Sequence, residues 1–494
     1  KTMMLTLLYV LIVVFGFIFA ITSRDTIEQE ASVIGTLRAS GYTRGELTRH
    51  YLIVPTLVTL VAAVIGNILG YTAMKNVVMN MYYHSYSLPP YQTLWNGDAF
   101  ILTTVIPCII ITLINLFVIA KALRLPPLQF LRHDFHMKKK KKAAKLPNFR
   151  FLTRFRLRII LQNIPSYIIM VFGIMFAGLL LFFGLALNPL LENYKTEVVN
   201  NMICDYQYVL KAPVETSNDA AEKFCMTTLY ESNDEEILAY GIEDDSEYLS
   251  KVNVPKKKNE VVASQGYLEK YSLKVGDKVT LKDKYGENKY TFKIVGSYYY
   301  PASLCVFMSN DNFNEVFDKD DGYFTGYFSN EKLKDIDDKY IATTITQKDL
   351  TTVTDQLDDS MGMSFTLLVG FSVLIYIILM YLLSKLVIEK NEQNISMLKI
   401  LGYSNREASK LYNRATTVVT IGAILVSVPL IYYVFAGLYH YFMFEMKGWL
   451  PYVVPWYVFV EMAVIGIICY AIIYFILQKK INKIKLSQAL KSDD

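Results

Sequence analysis

Seven stretches of the chain run for roughly 20 or more residues with few or no charges, at about 2–22, 52–74, 99–120, 162–187, 364–387, 415–439 and 456–477. That is the length the hydrocarbon core of a bilayer demands of a helix. Between the first and second stretches, and again between the fifth and sixth, lie polar segments that read almost alike. One is IEQEASVIGTLRASGYTRGELTRHYL from Ile27; the other is IEKNEQNISMLKILGYSNREASKLYN from Ile388. Superposing Gly41 on Gly402 pairs Leu37 with Leu398, Arg38 with Lys399, Tyr42 with Tyr403 and Glu46 with Glu407. After the third span of each set, PLQFLR (Pro127–Arg132) answers LSQALK (Leu486–Lys491). The pattern is a duplicated unit of span, polar segment, span, short loop and span.

Each polar segment predicts two helices and a tight corner. Ile34 and Leu37 lie one turn apart before Gly41, and Ile395, Leu398 and Leu401 form a similar stripe before Gly402. Gly followed by Tyr fits a helix that stops on a left-handed glycine. The hydroxyl of Thr43 or Ser404 then caps the next helix, and Glu46 or Glu407 three residues on completes a capping box. A corner of that kind is rigid, so a push on it moves the attached spans.

Residues 188–362 have a different texture. KVTLKD, KYTFKIVGSYYY and SLCVFMS alternate apolar and polar positions, the period of a half-buried strand. YLEKYSLKVGD reads as a short helix, then a turn at Gly276-Asp277 opening a strand, and segments 219–231 and 310–318 read as helical. The expectation is a mixed α+β domain large enough to hold its own core. Its acidic clusters, such as Asp234, Glu235 and Glu236, read as solvated surface.

Composition sharpens the class. With 53% apolar and 19% charged residues the chain is not an ordinary soluble enzyme. Basic residues fix an orientation. Segment 23–50 carries Arg24, Arg38, Arg44 and Arg49, and connector 121–160 includes the run Lys138, Lys139, Lys140, Lys141 and Lys142, whereas loop 76–98 has no Lys or Arg and 440–455 has only Lys447. Those two loops carry Tyr82, Tyr83, Trp95, Trp449 and Pro451, with Trp456 at the edge of the second, the composition of an interfacial belt. Both polar repeats, the connector and the C-terminus are thus expected in the cytosol of a multi-pass plasma-membrane protein, with 188–362 extracellular. The lysine run is expected to meet anionic lipid headgroups, and the absence of interleaved aromatics argues against nucleic acid.

The domain reading follows: 1–132 as a first repeat unit, 133–157 as a basic connector, 158–187 as the leading span of a second unit, 188–362 as the outer domain and 363–494 as the rest of the second unit. The first unit here lacks a leading span and an outer domain, which are expected to precede Lys1. That makes seven transmembrane helices in this polytopic α-helical chain and eight in the intact protein. No cleavable leader pattern opens the sequence.

No G-x-x-x-x-G-K-[ST] loop occurs, so the chain does not cradle ATP phosphates in that manner. Five cysteines without C-x-x-C spacing and five histidines give no metal or redox pattern, although one disulfide among Cys204, Cys225 and Cys305 is open. No cofactor is implied, and no nucleophile–base arrangement marks an enzyme. Asn67 and Asn115 are candidates to bond between spans, and Glu461 to face water near the membrane surface.

The corner sequences LRASGY (Leu37–Tyr42) and LKILGY (Leu398–Tyr403), with a Glu-rich approach and further spans, resemble the FtsX-like permease domain of ABC transporters. PLQFLR is similar to the family's exit sequence, and SLKVGDKVTL at 272–281 is similar to the MacB-type outer domain. The resemblance implies a transmembrane subunit that docks separate cytosolic ABC ATPases through Leu37, Arg38, Gly41, Tyr42, Glu46, Leu398, Lys399, Gly402, Tyr403 and Glu407. It implies extracellular conformational work, such as export or extraction of a peptide, lipid or lipoprotein. The alternative is a membrane sensor, or a scaffold activating a cell-wall hydrolase, that transmits a signal without moving a substrate. Gly45 faces Arg406 and Ala31 faces Glu392 in the alignment, so the two docking surfaces are expected to differ.

Overall fold

The computed structural model describes residues 2–83, 89–90, 92–132, 147 and 151–482. From the N-terminus come α1 (Thr2–Gln29), α2 (Ala31–Ala39), α3 (Arg44–Leu69) and α4 (Lys75–Tyr83). Then follow α5 (Gly97–Phe100), α6 (Ile106–Ala122), α7 (Pro127–Leu131), α8 (Phe151–Gln162) and α9 (Ile164–Asn200). Wide π-helical turns, Gly70–Met74 and Ile101–Val105, join α3 to α4 and α5 to α6. The strands are β1 (Tyr206–Leu210), β2 (Glu222–Tyr230), β3 (Glu236–Ile242) and β4 (Glu260–Ser264), then α10 (Gln265–Tyr271), β5 (Lys278–Lys282), β6 (Lys289–Tyr298) and β7 (Cys305–Ser309). After α11 (Asn310–Val316), β8 (Gly326–Ser329) and β9 (Ile341–Thr346) come α12 (Gln347–Lys390), α13 (Glu392–Ile400), α14 (Asn405–Glu445) and α15 (Trp456–Asn482).

The chain divides into a helical body, Lys1–Leu185 with Met363–Phe435 and Trp456–Asp494, and a sheet domain, Ala186–Gly362 with Ala436–Pro455. Among the described residues seven helical segments are long and apolar enough to cross a membrane, one for each stretch expected from the sequence.

In the helical body α9 is the most enclosed span, with 61% of its apolar stretch buried against 6% for the segment containing α3. Its glycines explain the difference. A Cβ at Gly173 would lie 2.5 Å from Leu383, one at Gly178 2.6 Å from Ile431 and one at Gly184 2.8 Å from Val369. Small residues let helix backbones approach where lipid gives apolar side chains no reason to associate. Neutral polar pairs add direction. The Asn67 amide donates to Thr104 at 2.9 Å and Ser23 donates to Asn115 at 2.8 Å, so both asparagines bond between spans. Asn163 and Asn391 exchange amide hydrogen bonds at 3.4 and 3.3 Å. Glu461 is exposed on α15.

The sheet domain has the strand order β3-β7-β4-β6-β5-β2-β8-β1-β9, and β2 also pairs with β3, so six strands close on themselves while β8, β1 and β9 extend from β2. Residues 219–231, expected to be helical, instead contain β2. The hairpin partner decides: Cys225 to Tyr230 pair in register with Gly241 to Glu236, and Phe224 stacks on Phe328 at 4.3 Å. Thr227 and Thr228 suit a pleated surface better than a helix, and Asp234, at φ 58°, supplies the turn. The other elements expected here, including α11 within 310–318, form as the patterns indicate. Cys204, Cys225 and Cys305 are free thiols, all buried.

Candidate functional site

The two polar segments fold into matching elbows. In the first, α2 ends on Gly41 at φ +102°, with the Tyr42 N–H donating to the Leu37 carbonyl at 3.1 Å and the Gly41 N–H to that of Arg38 at 3.3 Å. In the second, Gly402 sits at φ +91°, with Tyr403 donating to Leu398 at 3.1 Å and Gly402 to Lys399 at 3.2 Å. This nested pair of bonds satisfies carbonyls that a helix end otherwise leaves open, and it needs a residue without a Cβ at the left-handed position. Space is open around both glycines. Conformation, not crowding, selects them.

The following helices start on equivalent capping boxes. Thr43 donates its backbone N–H to Glu46 at 2.8 Å and accepts from the Glu46 N–H at 3.3 Å; Ser404 and Glu407 repeat this at 2.9 and 3.3 Å. These bonds to the ionised form hold both carboxyls below the usual glutamate range. Each elbow rests on its own apolar patch. Ile27, Ala31, Ile34 and Leu47 pack with Ile119, Leu123 and Phe130 in the first, whereas Ile388, Ile395, Ala408 and Leu411 belong to the main core in the second.

Arg38 and Lys399 are held by the chain itself. The Arg38 guanidinium donates to the Leu123 and Leu125 carbonyls at 3.0 and 2.6 Å, and the Lys399 ammonium to the Ile481 carbonyl at 2.8 Å. Each cation thereby caps the C-terminal end of the third span in its own repeat, where carbonyls and helix dipole both favour positive charge. Burial draws both below their ordinary pKa values. Sequence alone gives no sign of this, because the acceptors are backbone atoms some 80 residues away.

The tips differ in surface. Tyr42 and Tyr403 are both exposed, but the second elbow also exposes Met397, Ile400 and Leu401, where the first carries Thr36, Ala39 and Ser40. Beside the second elbow a groove of about 270 Å³ is lined by Phe155, Arg158 and Ile159 of α8 and by Met397, Leu398, Leu401 and Tyr412. The α8 contribution went unread in the sequence, although Phe155 and Ile159 are i,i+4 neighbours on one face of that helix. Lys138 to Lys142 lie outside the described residues.

The matching of these two elbows in backbone, caps and third-span contacts is accompanied by a matching family model. The model described as FtsX-like permease C-terminal fits residues 5–127 and, again, 366–486. The chain carries two FtsX-like permease domains. Each matched segment contains one elbow together with the three spans around it. No curated protein matches the chain. As an FtsX-like permease the chain is a multi-pass membrane permease of the ABC-transporter type, from a generally non-catalytic family that works with ABC ATPase partners.

Proposed function

We propose that this FtsX-like permease receives force from separate cytosolic ATPase subunits at its two elbows and turns it into conformational work outside the cell. Leu37, Gly41, Tyr42, Glu46, Leu398, Gly402, Tyr403 and Glu407 form the receiving surfaces. Arg38 and Lys399 serve them from behind by fixing each elbow to its third span. The observation that carries this reading is the duplication of one elbow geometry, down to the same four bonds, with an exposed Gly-Tyr tip in both copies. Two corners with the same backbone geometry suit two copies of one ATPase. The more apolar second tip suits a tighter contact there, since exposed apolar side chains grouped together favour a partner.

The basic segments support a cytosolic position for both elbows and the tail, and the sheet domain is then extracellular and MacB-type. The work performed there is export or extraction of a peptide, lipid or lipoprotein. Basic residues 138–142 contact lipid headgroups. The test is Gly41→Pro and Gly402→Pro. Proline cannot adopt the left-handed φ and removes the N–H that bonds to Arg38 or Lys399. Both variants are expected to insert into the membrane while losing co-purification of the ATPase subunit; full retention of that subunit in both overturns the proposal.

A further inference from the structure

A second contact system lies in the sheet domain, away from the elbows. Lys270 on α10 has a fully buried side chain, and its partner Glu235, 2.9 Å away, is 6% exposed. A buried ion pair survives only where the remaining donors and acceptors are satisfied. The loop between α14 and α15 satisfies them. Lys270 donates to the carbonyls of Met446 at 2.6 Å and Gly448 at 3.0 Å, and the Gly448 N–H donates to the other Glu235 oxygen at 2.6 Å. The Trp449 indole N–H donates to Glu269 at 2.9 Å, and its ring lies so close to Gly266 that a Cβ there would approach it to 3.1 Å. This loop, whose composition suggested a membrane-surface belt, is part of the sheet domain.

The helices flanking the second elbow give this fastener its reach. α14 starts at Asn405, just past Gly402 and Tyr403, and continues to Glu445, one residue before the first carbonyl that Lys270 grips. Its 41 residues span about 60 Å, and Pro429 removes one hydrogen bond without ending it. α12 starts where β9 ends and runs to Lys390, just before α13. We propose that the second elbow is tied to the sheet domain by two continuous helices, and that Lys270 and Glu235 are the positioning pair that makes α14 one of them. Without the pair, the α14–α15 turn slides free and the stroke reaches the domain through α12 alone. The inference rests on the reading of the elbows as ATP-driven contacts.

The test uses the full chain in lipid nanodiscs, alone and with its co-purified ATPase, read by hydrogen–deuterium exchange. In the chain alone, amides 446–450 and 452 are expected to exchange slowly, and about a hundredfold faster in Lys270→Met; unprotected amides in the wild type would overturn the fastener. With ATPase and ATP, wild type is expected to change protection in β2 and β3. Lys270→Met should lose most of that change while retaining ATPase binding and turnover. Trp449→Phe, which deletes one bond and leaves an aromatic ring of smaller size, should lose part of it, guarding against misfolding of the first variant. An undiminished response in both variants sinks the inference but not the proposed function. No response in wild type sinks the proposed function, and this inference with it.

Discussion

The carboxylate of Asp335 accepts from the Ser217 N–H at 2.6 Å and from the hydroxyls of Ser217 and Thr216, each at 2.9 Å, and these bonds push its pKa down to about 2. A carboxyl whose folded value is depressed stabilises the fold above the ordinary aspartate range, and that contribution is lost as pH falls toward the folded value. Here the window runs from about pH 4 down to about 2. A carboxyl-carbon NMR titration of Asp335 in the full chain is expected to show a midpoint near 2; a midpoint near 4 would mean the Thr216–Ser217 loop is not tethered. The same logic operates at Glu46 and Glu407. Both hold helix starts through their ionised form, so the elbows keep their caps at neutral pH and lose them only on acidification below the usual glutamate range. Arg38 and Lys399 show the limit of reading single side chains. Each sits where a partner contact is expected, yet each is engaged by carbonyls of its own repeat.

At the scale of elements, what the sequence reveals depends on how local the deciding forces are. The spans were legible because a long uncharged run has few alternatives in lipid. The elbows were legible because a Gly stop and a capping box lie within seven residues of each other. β2 was not: its hairpin partner β3 is the next element, but its other edge pairs with β8 and Phe224 stacks on Phe328, some 100 residues away. The Lys270 fastener was not legible either. Its acceptors lie 176 and 178 residues away, on a loop whose aromatic content pointed elsewhere. The glycines of α9 carry an element-scale prediction. Gly173→Val would force side-chain carbons into Leu383 and Phe17. Overpacking of this kind costs about 1–3 kcal/mol. It is expected to lower the midpoint for thermal unfolding of the detergent-solubilised chain, while Gly370→Val, where no atom lies within 4 Å of a Cβ, leaves it unchanged.

For the whole molecule, the question is which side each part faces. His50 and Arg406 are exposed, one on each of the helices that leave the elbows. Single His50→Cys and Arg406→Cys variants are expected to resist a membrane-impermeant thiol reagent applied to intact cells and to react after permeabilisation. A cysteine at Tyr285, an exposed sheet-domain residue, should show the opposite. Labelling of residue 50 or 406 from outside would invert the orientation and end the proposed function. The two FtsX-like domains are alike in elbow geometry and unlike in surface. Their contributions to a cycle are therefore separable by variants at Met397 and Leu401 that leave the first elbow untouched.

The passage from β9 into α12 involves no loop: Thr346 closes the strand, Gln347 opens the helix, and Asp349 fixes the junction by accepting from the Thr346 N–H at 2.9 Å and its hydroxyl at 2.6 Å. β9 is the terminal strand of the sheet order and pairs with β1. With no loop to absorb it, a rotation of α12 about its own axis would pass directly into β9 as a twist.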